Sequence, residues 1–359
     1  MDQPICQQNH VWGMPPFAFY TLVTLGGIVL LVLLIVEFVL LPRKRSKNYR
    51  DELLQHAIIT GGSSGIGYSV AKELIAQKCR CITLLARNME KLKEAKAALE
   101  GFRDADPSHI KSTIINIYSV DVSNAEQIAK AAKEICSSDL VANPTMLLNI
   151  AGTSSAKEFI HTDYNEFLRL MNINYLGSAY ATRAFLPYML AKTTYPKPPR
   201  AILFTSSQAG QLGVYGYTAY SASKFALRGL AEALQSELAR ENVSVKIAFP
   251  PDTDTPGFEQ EQIDKPQETK LISETSGLFQ PDSIAKTMIK KVLSDRPPFQ
   301  VYFGLDGWML ATLTAGMGHA HTLTETICEV CLMGLFRFIS LFYLMDFRRI
   351  IRKTGEKKK

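Results

Sequence analysis

The sequence predicts an α/β fold, a doubly wound parallel sheet, carrying an N-terminal transmembrane helix and a C-terminal membrane-associated segment. Three observations predict it. Short β-branched runs alternate with helical stretches between residues 55 and 300. A glycine-rich turn stands where the first of those runs gives way to a helix. A long apolar run precedes them all, and apolar residues return near the C-terminus. With 47% of its 359 residues apolar and 21% charged, the chain has enough to bury a large core, which excludes a disordered protein.

Residues 1–16 are expected to form a short luminal N-terminus, without Lys or Arg. Phe17–Leu41, residues 17–41, is apolar apart from Glu37. As a helix it spans about 37 Å, enough to cross a bilayer with some tilt. No basic stretch precedes it and no small-residue cleavage site follows, so it reads as an anchor rather than a removable signal. The basic linker, residues 42–54, brings Arg43, Lys44, Arg45, Lys47 and Arg50. Positive charge stays on the cytosolic side, which puts everything after Leu41 in the cytosol. Much of the net charge of +6 lies here and in Arg348–Lys359. Each basic run follows an apolar segment, so the expected partner is a membrane surface. No zinc-finger or helix-turn-helix spacing supports nucleic acid as a partner.

The catalytic domain is expected over residues 55–300. Its strands are His56–Thr60, Cys81–Ala86, Thr113–Val120, Met146–Ile150, Ala201–Thr205 and Val243–Phe249. Amphipathic helices fill the gaps, one from about Ile66 and a long one over Thr218–Arg240. Such alternation makes a parallel sheet covered on both faces. Residues 301–345 follow as a membrane-associated segment, and residues 346–359 as a basic tail. Ile327–Met345 is apolar and aromatic but contains Glu329 and Arg337, and a single crossing there leaves the basic tail in the lumen. Either Val301–Ala320 and Ile327–Met345 form a hairpin, or the segment lies in the interface; Asp306 and several glycines favour the interface. Cys328 and Cys331 form a CxxC pair with no second pair or histidine cluster, so they read as small apolar residues and no metal is expected.

The turn holds Gly61, Ser63, Ser64, Gly65, Ile66 and Gly67 between strand and helix. Glycines let the backbone approach a pyrophosphate, and the helix N-terminus offers free N–H groups and a positive dipole. Twenty residues past Gly67 stands Arg87, where a carboxylate would favour the ribose hydroxyl of NAD; an arginine suits the 2′-phosphate of NADP. NADPH is therefore the expected cofactor. Asp121 and Val122 end the third strand, where the aspartate can accept from the adenine amino group, and Asn149 ends the fourth.

Tyr220 and Lys224 open a helix four residues apart, hence on one face. A phenol of pKa near 10 is a poor acid–base group at neutral pH, and a neighbouring ammonium stabilises its phenolate. Lys224 can also hold the cofactor ribose. Ser207, at the end of the fifth strand, can donate to a carbonyl oxygen as it gains charge.

TGGSSGIG, NIAG, the Asn174 of NINYLG, SSQAG and YSASK together resemble the short-chain dehydrogenase/reductase family over about residues 55 to 260. The resemblance implies a Rossmann-type fold and a catalytic tetrad of Asn174, Ser207, Tyr220 and Lys224, with Asn174 holding a water that relays protons to the lysine. It implies phosphate-turn roles for Gly61, Gly65 and Gly67, and a cofactor contact for Thr255. Two departures stand out: Ile150 replaces a usual asparagine, and Pro250-Pro251 replaces a usual Pro-Gly. The longer stretches SSQAGQLGVYGYTAYSASKFALRGLAEALQ, PPDTDTPGF, LISET and MGLFR are similar to the branch of the family that reduces a long-chain lipid ketone, 3-ketodihydrosphingosine, to sphinganine. That branch works with NADPH at the cytosolic face of the endoplasmic reticulum membrane. Homo-oligomers paired through the helix equivalent to Thr218–Arg240 are common in the resembled family. The stretch Pro256–Phe279 is the expected substrate lid, and Asp252 or Asp254 the expected partner of the substrate's ammonium group. Two other readings compete: a reductase of the same fold for a steroid or retinoid ketone, and a catalytically silent membrane scaffold. The intact Ser207, Tyr220 and Lys224 argue against the scaffold.

Overall fold

The computed structural model of the chain describes residues 16–35, 48–105, 113–137, 142–191, 197–294, 298–318, 320 and 322–357. Residues 1–15, the end of the expected anchor with Glu37, most of the basic linker and the last two lysines lie outside the described residues.

Helix α1 (Pro16–Ile35) is apolar all round, with Phe17, Leu22, Leu25 and Ile28 exposed. Its 20 residues make about 30 Å of helix, the thickness of a bilayer's hydrocarbon core. A short α2 (Tyr49–Leu53) leads into β1 (His56–Thr60), α3 (Gly65–Ala76), β2 (Cys81–Ala86), α4 (Met89–Asp104) and β3 (Ile114–Ser119). Then come α5 (Ala125–Cys136), β4 (Met146–Asn149), α6 (Tyr164–Leu170), a π-helical turn over Met171–Leu176, α7 (Gly177–Leu190) and β5 (Arg200–Thr205). Helix α8 (Thr218–Glu237) and β6 (Val243–Ala248) follow, then α9 (Pro256–Gln262), α10 (Gln267–Glu274), α11 (Pro281–Val292) and β7 (Gln300–Val301). The chain closes with α12 (Gly304–Leu313) and α13 (Leu323–Lys357).

All strand pairs are parallel, in the order β3-β2-β1-β4-β5-β6-β7. The order reverses between β1 and β4, and a crevice opens at that point beyond the strand ends. The side-chain period of two sorts each strand between the two faces. Ile59, Leu84 and Leu148 pack with Val70 and Leu74 of α3, Leu92 of α4 and Met288 of α11. Their neighbours Ile58, Leu85 and Leu147 pack with Ile128 of α5, Phe185 of α7 and Leu227 of α8. Local signals start the helices: Asn88 accepts from the Lys91 N–H, and Asn124 from those of Glu126 and Gln127.

All six expected strands form within a residue of their expected ends, β3 being shorter by one residue at each end. The seventh, β7, was not expected: two residues carry too little pattern, and pairing with Ile247 and Ala248 creates it. The C-terminal region also differs from the hairpin reading. Val301–Ala320 begins with the last residue of β7 and holds the ten-residue α12, about 15 Å long and too short to cross a bilayer. Ile327–Met345 and the basic tail, by contrast, belong to one 35-residue helix, α13. That helix is long and apolar enough to cross a membrane. It packs on α12, where Trp308 meets Phe336 edge to face.

His56, at the head of β1, is buried between the Ala142 carbonyl (2.7 Å) and the Thr83 hydroxyl (2.9 Å), and burial lowers its pKa from 6.5 to about 4. The unfolded chain therefore takes up the proton first as pH falls. The stability is complete above pH 6.5 and is lost toward pH 4, by about 3 kcal/mol in all. Thermal melts of the detergent-solubilised protein from pH 7 to 4.5 should show a steeper loss for the wild type than for His56→Gln; equal slopes would contradict the assignment.

Candidate active site

At the crevice, β1 ends in Thr60, whose hydroxyl accepts from the Ile150 and Ala151 N–H groups at 3.0 and 3.1 Å. This ties the turn after β1 to the turn after β4. Gly61 has φ +71° and Gly65 φ +53°, backbone that L side chains rarely adopt. Gly67 is constrained differently: a Cβ there would stand 2.2 Å from the Gly61 carbonyl oxygen. Ser64 precedes the first turn of α3 without a side-chain cap, so the N–H groups of that helix remain available. A Cβ on Gly65 would touch Thr255, which lies over the turn and caps α9 by accepting from the Phe258 N–H.

These groups line a cleft of about 1460 Å³. Arg87 and Lys91 border it beyond β2, and Asp121 and Val122 beyond β3. Asp121 already accepts from the Ser123 N–H and hydroxyl at 2.9 and 2.7 Å. Like Asn174, Asn149 lies outside the cleft lining. Its side chain is buried away from the cleft lining and donates to the Thr182 hydroxyl at 3.1 Å. The cradle fits a dinucleotide: two glycines in left-handed backbone, a third that admits no side chain, an uncapped helix N-terminus, and a cation beyond β2.

Farther along the cleft, Ser207, Tyr220 and Lys224 come together. The Lys224 ammonium donates to the Thr205 carbonyl at 2.9 Å and lies 5.8 Å from the centre of the Tyr220 ring. Burial lowers its pKa from 10.5 to about 8. Burial also raises that of Tyr220, and the charge of Glu261 adds to the rise, while a hydrogen bond with Ser207 opposes it. The Ser206 hydroxyl donates to the Lys224 carbonyl at 2.9 Å, fixing α8 to the end of β5.

Asn174 sits in the π-helical turn, fully buried. Its Oδ1 accepts from the Thr153 N–H at 2.8 Å, and its Nδ2 reaches the Thr153 carbonyl and the Ser223 hydroxyl at 2.9 Å each. The Asn174 carbonyl accepts from Ser178 at 2.9 Å. With its side chain committed, Asn174 holds the turn after β4 against α8. A Cβ on Gly152 would stand 3.2 Å from both Asn174 Oδ1 and Lys224 Nζ.

The far part of the cleft is walled by α9 and α10, which lie within the Pro256–Phe279 stretch, and by α12 and α13. Asp252 lines it and Asp254 does not; Asp254 is exposed and accepts from Gln280. Sequence reasoning missed three groups here. Glu261 lines the cleft, the Tyr217 hydroxyl donates to it, and Lys265 lies behind both carboxylates, 3.0 Å from Glu261 and 3.3 Å from Asp252. The i, i+4 pair Glu261–Lys265 reads in the sequence as an ordinary solvated pair. It also missed the α13 wall of Arg337, Ser340, Tyr343, Leu344 and Phe347, whose helical spacing was visible but not its destination.

Residues 55–266 match the family described as short chain dehydrogenase. A 3-dehydrosphinganine reductase of Danio rerio is 44% identical over 323 residues, 89% of this chain and 93% of that one. A 3-ketodihydrosphingosine reductase of Bos taurus is 45% identical over 303 residues, 84% and 87% of the two chains. Among solved structures, a short-chain dehydrogenase from Streptomyces avermitilis shares the fold with a TM-score of 0.58 and 25% identity, covering 72% of this chain and 90% of that one. The cofactor is accordingly a nicotinamide dinucleotide.

Gly67→Ala places a methyl group against the Gly61 carbonyl and should weaken NADPH binding by at least about 30-fold, the effect of roughly 2 kcal/mol of overpacking. Fluorescence titration with NADPH checks this; unchanged affinity would mean the turn does not contact the phosphates.

Proposed function

We propose, for a chain that belongs to the short chain dehydrogenase family, that it reduces the 3-keto group of 3-ketodihydrosphingosine to dihydrosphingosine with NADPH, a step of sphingolipid biosynthesis, at the cytosolic face of the endoplasmic reticulum membrane. The observation that carries this reading is the composition of one cleft. A Ser–Tyr–Lys set faces it, a dinucleotide cradle forms one end, and a helix rich in exposed apolar residues walls the other. The relatives' names supply the substrate, and the choice of the reticulum rests on kinship alone.

When bound in the cradle formed by Gly61, Gly65, Gly67 and Arg87, the reduced nicotinamide dinucleotide would supply the hydride for the carbonyl carbon. Ser207 donates a hydrogen bond to the carbonyl oxygen as it becomes an alkoxide. Tyr220 delivers the proton to that oxygen and is left as a phenolate. Lys224, charged below its lowered pKa, stabilises the phenolate and holds the ribose. Asn174 positions the turn after β4 so that Thr153 and Gly152 keep their places beside the lysine. Arg87, free of any carboxylate partner among the described residues, takes the 2′-phosphate of NADPH.

The membrane reading rests on α1 and α13. In α13, Val330 is 77% exposed and Phe338 59%, with Leu341, Phe342 and Met345 exposed beyond them. Arg348, Arg349, Arg352 and Lys353 follow on the same helix. Arg337, Ser340, Tyr343, Leu344 and Phe347 of α13 wall the cleft that would take a soluble cofactor, which supports a position for this part of the helix outside the bilayer centre. The interfacial placement, with apolar side chains in the acyl boundary and cations at the headgroups, satisfies both demands.

NADPH oxidation by the detergent-solubilised protein with 3-ketodihydrosphingosine tests the reaction. Tyr220→Phe should lower kcat by about 100- to 10,000-fold with NADPH affinity retained. Arg87→Ala should lower kcat/KM for NADPH by about 10- to 100-fold and leave that for NADH unchanged. Binding of NADPH without turnover of this ketone would refute the substrate; equal loss with both nucleotides would refute the role of Arg87.

A further inference from the structure

The charges around Tyr220 are arranged unfavourably for the reduction of a neutral ketone. When Tyr220 gives up its proton it becomes an anion, and carboxylates nearby oppose that change. Glu261 and Asp252 both do so. They line the cleft, and the ring of Tyr217, whose hydroxyl donates to Glu261, lies 5.2 Å from the ring of Tyr220. Lys265, behind them with its side chain 1% exposed, is their cation. One ammonium faces two carboxylates, and burial, with Glu261 beside it, raises the pKa of Asp252, so the cluster is short of positive charge.

Lys224, 5.8 Å from the Tyr220 ring, serves the phenolate itself, and the other charges nearby do not correct the imbalance at the two carboxylates. Glu166 pairs with Arg169 at 2.7 Å, and Lys157 with Asp264 at 3.3 Å, each internally balanced. Asp306 and Arg337 line the α12–α13 part of the wall, and Arg87 and Lys91 border the cofactor end. The Glu261 side chain is only 7% exposed, so water screens its charge weakly. A second, independent feature belongs to the same cleft. Gln211, 5% exposed, lines it and donates from Nε2 to Thr314 at 3.3 Å, while its Oε1 has no hydrogen-bond partner. A buried amide oxygen without a donor is costly unless a ligand brings one.

We propose that Glu261, with Asp252 beside it, takes the 2-ammonium group of the amino ketone, and that Gln211 accepts from the substrate's 1-hydroxyl. This rests on the reductase reading above and names the groups that select its substrate. The ammonium sits on the carbon next to the reacting carbonyl, so the cation arrives where the phenolate forms. It offsets the charge of the two carboxylates, and a ketone lacking it leaves Lys224 to stabilise the phenolate against both of them. The same charge serves as a specificity device against neutral lipid ketones.

The test compares 3-ketodihydrosphingosine with 1-hydroxyoctadecan-3-one, the same chain without the amine, using the full-length protein in detergent with NADPH. The wild type should favour the amine on the order of 100-fold in kcat/KM. Glu261→Gln should collapse that ratio, with turnover of the amine falling and turnover of the neutral ketone rising, because its phenolate then meets one carboxylate fewer. A wild type indifferent to the amine, or a Glu261→Gln protein that binds NADPH normally and loses both activities in equal proportion, overturns the inference while leaving the reductase in place. Should Glu261→Gln fail to bind NADPH, Asp252→Asn reads the same ratio under the same criteria. A wild type that binds NADPH and reduces neither ketone removes the reductase reading, and this inference with it.

Discussion

An ammonium group withdrawn from water needs partners, and Lys224 finds a fixed one, the Thr205 carbonyl at the end of β5. Most of the site follows from meeting that need. The lysine must emerge from the first turns of α8, so the helix is fastened there by the Ser206 hydroxyl on the Lys224 carbonyl. Ser223, one residue before, holds Asn174, and Asn174 in turn holds Thr153 after β4. The chain of contacts thus runs from the centre of the sheet through α8 and the π-helical turn and back to the adjacent strand end. Parallel pairing of β4 with β5 brings both ends to the same edge. The result is a cation of lowered pKa fixed beside a phenol, which serves acid–base chemistry better than either group alone.

The same edge of the sheet serves two ligand types of opposite character. Toward β2 and β3 the wall is glycine backbone, helix N–H groups and Arg87, suited to phosphates. Toward α12 and α13 it is Met309, Leu310, Leu313, Leu344 and Phe347, suited to an alkyl chain. Tyr220 stands between these walls. A nicotinamide entering from one side and a lipid carbonyl from the other meet at the one place where Ser207 and Tyr220 present hydroxyl groups. Substituting Pro250-Pro251 for a Pro-Gly does not disturb this. The Pro250 carbonyl accepts from the Gln208 N–H, and the Pro251 carbonyl from the Thr253 hydroxyl, so the extra ring is built into a bonded turn.

The parts of this arrangement that were legible in the sequence are those set by local rules. Strands β1 and β2 are apolar runs bounded by turn residues, and the turn after β1 requires its glycines for steric reasons visible in any strand–helix junction. Tyr220 and Lys224 share a helix face whatever the helix packs against. What was hidden depends on where elements meet. Asn149 reads as a ligand because it ends a strand, yet the side chain there alternates to the face of Thr182. Glu261 and Lys265 have the spacing of a surface pair, and only the closure of α9 over Tyr217 buries them. The C-terminal segment read as two separate pieces because its apolar stretch gives way to cations after Met345; the backbone continues as one helix through both.

That continuity bears on how a lipid substrate reaches Tyr220. Each methylene moved from an apolar phase into water costs about 0.8 kcal/mol. A tail of a dozen or more therefore costs about 10 kcal/mol to bring fully into solution, which suppresses the free concentration by about seven powers of ten. An enzyme drawing only on dissolved ketone would meet almost none. In α13, Leu344 and Phe347 line the cleft, while Phe338 and Phe342, one to two turns before them, are exposed. One helix therefore touches the substrate site with one face and, in the interfacial placement proposed above, the acyl chains with another. A tail passing along it exchanges apolar contacts for apolar contacts, and the carbonyl and ammonium alone need leave the headgroup region. In that placement the cations that follow Met345 would hold the helix at its depth, so the basic tail would set the height of the cleft above the membrane as well as supply affinity for it.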